Sequence, residues 1–139
     1  MASITIDGQE LQVAETDCLN VIEAAGRAGV EIPYYCWHPG LSVVASCRMC
    51  LVEVGRKNDE GEIEMGPRLV PACQTPASEG TVVVTDSEKV LENRRAVQEY
   101  LLLDHPVDCP ICDRAGECDL QDYYYNHGRS QRRDLPEPF

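Results

Sequence analysis

Apolar and polar residues alternate over residues 3–6 and again over 9–13, with Asp7-Gly8 between the two runs. A two-residue period marks a strand with one face buried, and Asp-Gly suits a two-residue hairpin turn, so the chain opens as a small sheet. The period then changes to that of a helix. Leu19, Val21, Ile22, Ala25 and Ala28 share one helical face, with Asp17 placed to cap its start and Gly29 to end it in the left-handed conformation. Pro33 predicts an extended segment leading to Cys36. Alternation returns over residues 51–54 and predicts a strand, and the polar stretch GRKNDEGEIEMGP after it reads as a surface hairpin. The β-branched run 81–85 predicts a buried strand. Beyond Asp86-Ser87, which offer an N-cap, Val90, Leu91, Val97, Tyr100 and Leu101 fall at helical spacing and predict a helix over 88–103. Pro106 and Pro110 interrupt regular structure, and residues 119–126 predict a last short helix. The tail 129–139 is basic, then proline-rich, and reads as a linker. Strands first and helices afterwards predict an α+β fold.

With 139 residues the chain is of a size for one core plus a small appendage. Twelve Lys and Arg against 24 Asp and Glu leave a net charge of −12, which argues against nucleic acid or an anionic membrane as partner and for another protein surface. The N-terminus lacks a basic segment followed by an apolar stretch, so it does not read as a secretory signal. Eight cysteines in a reducing compartment point to metal sites or redox dithiols rather than structural disulfides. No apolar run approaches the length of roughly 18 residues that spans a bilayer, so direct membrane insertion is not expected.

The cysteines fall into two sets. His105, Cys109, Cys112 and Cys118 have the spacing His-x3-Cys-x2-Cys-x5-Cys in the run HPVDCPICDRAGECDLQ. A short loop can fold three thiolates and one imidazole around one centre only if they stand this close, and soft sulfur donors select zinc or iron-sulfur. Pro106 and Pro110 hold this loop open and Gly116 permits a turn before Cys118. Residue types alone leave iron-sulfur and structural zinc both open here. Upstream, Cys36, Cys47, Cys50 and Cys73 have the spacing Cys-x10-Cys-x2-Cys-x22-Cys. Three ligands on one irregular loop, with a fourth returned from a distant segment, is how a β-grasp ferredoxin encloses a 2Fe-2S centre. The ten-residue first gap departs from the plant-type spacing, and the isolated Cys36 and Cys73 fit poorly with the paired spacings of zinc sites.

The other chemistry-bearing residues have plainer readings. Cys18 lies among apolar helix residues and reads as a buried small hydrophobe. His38 lies near Cys36, whose site four cysteines already complete, and His127 reads as a surface or interface residue. Tyr123, Tyr124 and Tyr125 read as core or subunit interface, and Arg48 as either an offset to thiolate charge or a solvated residue. Arg129, Arg132 and Arg133 would meet an acidic partner or solvate a linker. Neither a G-x-G-x-x-G nor a G-x-x-x-x-G-K-[ST] is present, nor a nucleophile with its base, so no nucleotide site or self-contained catalytic site is visible.

The segments IPYYCWHPGLSVVASCRMCLVEV, LVPACQTPASEGTVVVT and LLLDHPVDCPICDRAGECDLQD resemble the N-terminal part of the large iron-sulfur subunit of NADH:quinone oxidoreductase, respiratory complex I. The diaphorase subunit of NAD-reducing hydrogenases and the electron-input region of some iron-only hydrogenases are similar over the same stretch. The resemblance implies a β-grasp 2Fe-2S domain over 1–85 with Cys36, Cys47, Cys50 and Cys73 as ligands. It further implies a helical 4Fe-4S domain over 86–128, held by His105, Cys109, Cys112 and Cys118, before the tail 129–139. The implied role is an electron relay from an NADH-reduced flavin subunit towards quinone, with that flavin subunit and other iron-sulfur subunits as partners. The implied location is the cytoplasmic or matrix side, peripheral to the membrane through the complex. A relay in a hydrogenase, or a zinc-stabilised interaction module with no redox role, are the alternatives. Ala45 stands where that family often has Gly, which bears on local loop geometry.

Overall fold

The computed structural model describes residues 1–58 and 60–129. Strands β1 (Ala2–Ile6), β2 (Gln9–Val13), β3 (Leu51–Lys57), β4 (Ile63–Pro71) and β5 (Thr81–Val84) form one sheet in the order β2-β1-β5-β3-β4. All pairings are antiparallel except β1 with β5, which run parallel. The crossover between them requires a long excursion, and residues 14–80 supply it with helix α1 (Val21–Arg27) and the β3–β4 hairpin. Helices α2 (Glu88–Leu102) and α3 (Asp119–His127) follow the sheet. This mixed sheet with helices is an α+β fold of the ferredoxin-like kind.

The opening hairpin forms as the alternation requires. Asp7 and Gly8 both take positive φ, 46° and 82°, the signature of the primed turn that matches strand twist. The Asp7 carboxylate accepts hydrogen bonds from the Thr85 backbone N–H at 2.7 Å and the Thr85 hydroxyl at 2.6 Å, pinning this turn to the end of β5. Ile4, Ile6, Val13, Val52 and Val83 from the sheet pack with Val21, Ile22, Ala24 and Ala25 of α1 in one core. Truncating a fully buried side chain such as Ile4 or Ile6 to Ala costs about 2–5 kcal/mol. Cys50 and Cys73 belong to that same core, so the sheet itself fixes two of the candidate ligands.

Helix α1 starts later than the sequence pattern predicts. Asn20, not Asp17, is its cap: Asn20 Oδ1 accepts from the Glu23 backbone N–H at 2.9 Å, and Glu23 Oε2 accepts from the Asn20 N–H at 3.0 Å. Asp17 lies in a 3-10 turn, Glu15–Asp17, and pairs with Arg27 at 2.6 Å. Between them Cys18 takes a left-handed φ of 46° and is exposed, which corrects its reading as a buried hydrophobe. The C-terminus ends as expected. Gly29, at φ 76°, donates to the Gly26 carbonyl at 3.1 Å, and Val30 donates to the Ala25 carbonyl at 2.9 Å, a Schellman closure.

Helix α2 differs more. Ser87 caps it, accepting from the Val90 N–H, but of the five apolar residues at helical spacing only Val90 is fully buried. The inward face is instead Val90, Arg94 and Gln98, while Tyr100 is 73% exposed. The reason is what α2 packs against: polar backbone and side chains of the loop carrying Cys36 to Cys50, besides the apolar sheet. Residues 130–139, including Arg132 and Arg133, lie outside the described residues.

The capping correction is testable. Asn20→Ala removes both reciprocal bonds and is expected to lower stability by about 1 kcal/mol. Asp17→Ala loses only an exposed ion pair and is expected to cost less than about 0.5 kcal/mol. Urea unfolding of the metal-free chain separates the two; equal losses would return the cap to Asp17.

Candidate metal centres

The upstream site is built by three pieces of chain. Buried Ile32 and Pro33 anchor the approach to Cys36, and Tyr34 packs edge-on against Trp37 with ring centres 4.9 Å apart. Residues 38–44 then loop outward, with Leu41, Val43 and Val44 exposed. His38 is turned into this loop, its Nδ1 accepting from the Gly40 N–H at 3.0 Å. The chain returns through Ala45 and Arg48, both left-handed at φ 53° and 58°. Such non-glycine conformations cost about 1–2 kcal/mol each. They bracket Ser46-Cys47, whose backbone N–H groups both hydrogen-bond the Cys36 sulfur. Met49 and Cys50 are then fully buried, and the Ala72 N–H donates to the Cys50 carbonyl at 3.1 Å, bringing Cys73 from the end of β4 alongside.

The charges of Cys36, Cys47 and Cys50 all act on Cys73. Burial raises the Cys36 thiol, but bonds from the Cys47 backbone and side chain and from Ser46 outweigh it, and the net result is lowered to about 7. Cys73 is pushed up to about 12, first by burial, then by a hydrogen bond to Cys50 and by the charges of Cys50, Cys36 and Cys47. Cys36 and Cys47 are half-buried, whereas Cys50 and Cys73 are buried. A set of four soft donors with backbone N–H groups aimed at a sulfur fits an iron-sulfur cluster.

The downstream residues follow one another along a single exposed segment. His105 is exposed three residues past the end of α2. Cys109 opens a 3-10 turn with Pro110 beside it, and the Cys112 N–H donates back to the Cys109 carbonyl at 3.2 Å. Gly116, at φ 86°, makes the predicted turn, and its N–H donates to Gln121 Oε1 at 3.2 Å. Cys118 is the N-cap residue of α3, with its carbonyl accepting from the Asp122 N–H at 3.0 Å. Local turns, rather than the sheet, order this set. Among the described residues no three His, Cys, Asp or Glu side chains converge as the ligands of a single ion would. No disulfide joins Cys36, Cys47, Cys50, Cys73, Cys109, Cys112 or Cys118.

Several residues around the sites carry no motif. Gln98 Nε2 donates to Tyr35 Oη at 2.6 Å and lies 3.7 Å from Met49 Sδ. Asn93 Nδ2 donates to the Arg48 carbonyl at 2.9 Å. Tyr35 meets Tyr123 edge-on at 5.2 Å, and burial, opposed by the Gln98 bond, raises its phenol, with the charge of Cys118 adding to the rise. Tyr123 is half-buried, whereas Tyr125 is 79% exposed. His127 is half-buried against Tyr123, its imidazole lowered by burial and by the charge of Arg94. Arg94 is buried with Nε and Nη2 lacking hydrogen-bond partners, and burial lowers its guanidinium against the pull of Asp7 and Asp86. The sequence signal for this group is polar Arg94 and Gln98 continuing the helical row of Val90.

Residues 1–88 match the family model for the 2Fe-2S iron-sulfur cluster binding domain. The chain belongs to that family. Residues 94–133 match a second model, the NADH-ubiquinone oxidoreductase-G iron-sulfur binding region, so the chain carries one 2Fe-2S and one 4Fe-4S cluster. An NADH-quinone oxidoreductase subunit from Rickettsia bellii (strain RML369-C) is 43% identical over 133 residues, 96% of this chain and 18% of that protein. Its counterpart from Escherichia coli (strain K12) is also 43% identical over 133 residues, 96% of this chain and 14% of that protein. The chain therefore spans less than a fifth of the length of these curated relatives. A chain of the NAD+-reducing NiFe-hydrogenase, crystallised in the H2-reduced state, superposes with a TM-score of 0.75 at 30% identity, covering 99% of this chain and 55% of that one.

Two outcomes are expected of the metal-free chain. Alkylation of Cys36, followed by mass spectrometry, is expected to inflect near pH 7 and to fall about tenfold per unit below it, because the thiolate is the nucleophile. Cys73 is expected to stay unlabelled through pH 10. Replacing Ala45 with Gly relieves a left-handed Cβ and is expected to raise thermal stability by about 1 kcal/mol; a loss would show that the loop relaxes without it.

Proposed function

We propose that this chain is an electron-relay segment, carrying electrons from an NADH-reduced flavin subunit towards quinone in an NADH dehydrogenase complex. In this reading Cys36, Cys47, Cys50 and Cys73 hold the 2Fe-2S cluster, and His105, Cys109, Cys112 and Cys118 hold the 4Fe-4S cluster. The division falls at 1–85 and 86–128, with the flavin subunit and other iron-sulfur subunits as partners, on the cytoplasmic or matrix side of the membrane. The observation that carries the reading is the match of residues 1–88 to the 2Fe-2S cluster binding domain, and it is supported by Cys50 and Cys73 lying in one core while Ser46 and Cys47 bond the Cys36 sulfur. Likeness to the NADH-quinone oxidoreductase subunits of Rickettsia bellii and Escherichia coli supports the wider role.

Each cluster, when bound, exchanges single electrons. The chain's own part is to hold the ligands and set their surroundings. Cys50 and Cys73 close the site on the core side, where water is excluded, and the Ser46 and Cys47 N–H groups stabilise negative charge on Cys36. Among the described residues no helix is long and apolar enough to cross a membrane. A relay role in an NAD-reducing hydrogenase is the second reading, favoured by the structural likeness over nearly the whole chain.

Iron, acid-labile sulfide and zinc in chain purified without oxygen test the cofactor assignment. About six irons and six sulfides per chain are expected, bleaching with dithionite. About two zincs without sulfide would overturn it. His105→Ala is expected to lose or alter only the four-iron signal; loss of both signals from a folded chain would contradict two separate sites. Co-purification of the full-length protein with a quinone-reducing or a hydrogen-oxidising complex separates the two readings.

A further inference from the structure

Helix α2 touches the segments around the upstream cysteines at three residues, Tyr35, Arg48 and Met49. Asn93 Nδ2 bonds the carbonyl of Arg48, which stands in the left-handed conformation between Cys47 and Cys50. Gln98 Nε2 lies within reach of Met49 Sδ, the residue before Cys50, and bonds Tyr35 Oη, the residue before Cys36. Gln98 and Met49 are both fully buried. A single amide thus joins the two segments that carry Cys36 and Cys50.

Stability alone does not explain an amide here. A buried amide gains about 1 kcal/mol for each hydrogen bond made, and a thioether is a weak acceptor. Gln98 Oε1 is buried without a hydrogen-bond partner, which costs about 1–3 kcal/mol. An apolar side chain of the same length would fill the space without that cost. What it would not supply is direction. Tyr35 is also held edge-on by Tyr123 of α3, so its place is set from both helices. We propose that Gln98 is a positioning residue for the 2Fe-2S cluster, its amide fixing Tyr35 and Met49 and through them the Cys36 and Cys50 sulfurs. This rests on the assignment of those cysteines as ligands.

The test breaks one bond from its two ends. The whole chain, purified without oxygen with both clusters, is compared with Tyr35→Phe, Gln98→Met and the double variant. Three readouts are taken: iron and sulfide content, the electron paramagnetic resonance line of the reduced two-iron cluster, and iron loss to a chelator. Both single variants are expected to keep their iron content, broaden the two-iron line and lose iron from that cluster roughly three- to tenfold faster. The four-iron signal stays unchanged, and the double variant is no worse than Gln98→Met, because that variant already removes the Gln98–Tyr35 bond that Tyr35→Phe breaks. A wild-type two-iron line and release rate in both singles would overturn the proposal, as would equal changes in both clusters or additive effects in the double. Absence of the two-iron signal from the unmutated chain would instead overturn the ligand assignment.

Discussion

Seating Cys50 and Cys73 in the core with Cys36 and Cys47 at its rim is the constraint on which the rest of this structure depends. Thiolates repel one another, and a medium of low dielectric amplifies that repulsion. The fold answers with two different environments. Cys73, in the core, is pushed up to about 12, so without metal it remains a neutral thiol that packs like any small apolar side chain. Cys36, at the rim, is lowered to about 7 because the Ser46 and Cys47 groups bond it. Those groups lie between Ala45 and Arg48, both in left-handed backbone, and the Arg48 carbonyl accepts from Asn93. Strain in the loop, the helix that braces it and the sheet beneath it all serve one arrangement of sulfur.

Much of the scaffold was legible because one physical rule dominated each piece. A strict two-residue period marked β1 and β2, Asp7-Gly8 their turn, and the Val-rich run the central strand β5, whose neighbours cover it on both edges. Gly29 ended α1 as expected, since no other residue type reaches φ 76° at so little steric cost. Competition between similar signals hid the rest. Asp17 and Asn20 are both good caps, and only Asn20 has Glu23 three residues on to complete the reciprocal bonds. Cys18 fits the apolar pattern of a helix that in fact begins beyond it. The cysteine spacing pointed to two sets, but not to Cys50 and Cys73 being core residues while Cys36 and Cys47 sit at the rim. That division follows from β3 and β4 being paired, a long-range fact with no local signal.

Helix α2 is where a simple hydrophobic stripe misleads most. Apolar residues at helical spacing imply burial against an apolar surface, and here much of the facing surface is a ligand loop. A loop that curls around a cluster leaves carbonyl groups and polar side chains facing its neighbours, and these need partners. Asn93 and Gln98 supply them, which is why polar residues occupy the row expected to be apolar. Leu91 and Val97 are left half-buried and Tyr100 exposed as a direct consequence.

The two ligand sets also depend on the fold in different ways. The upstream set draws on residues 36 to 73, and its closure is complete only when β3 and β4 have paired and the end of β4 has delivered Cys73. Long loops of this kind cost only slowly more entropy as they lengthen, but their ends meet only in the folded chain. The downstream set spans residues 105 to 118, with reverse turns at Cys109–Ile111 and Gly116 already shortening the path. Metal binding there has mainly local loop entropy to overcome, whereas metal binding upstream is linked to the stability of the whole sheet. Substitutions in the β-sheet core therefore act on the upstream cysteine set in proportion to their effect on folding. The same substitutions reach the downstream set through α2 and its contact with α3, and through the Tyr35–Tyr123 pair.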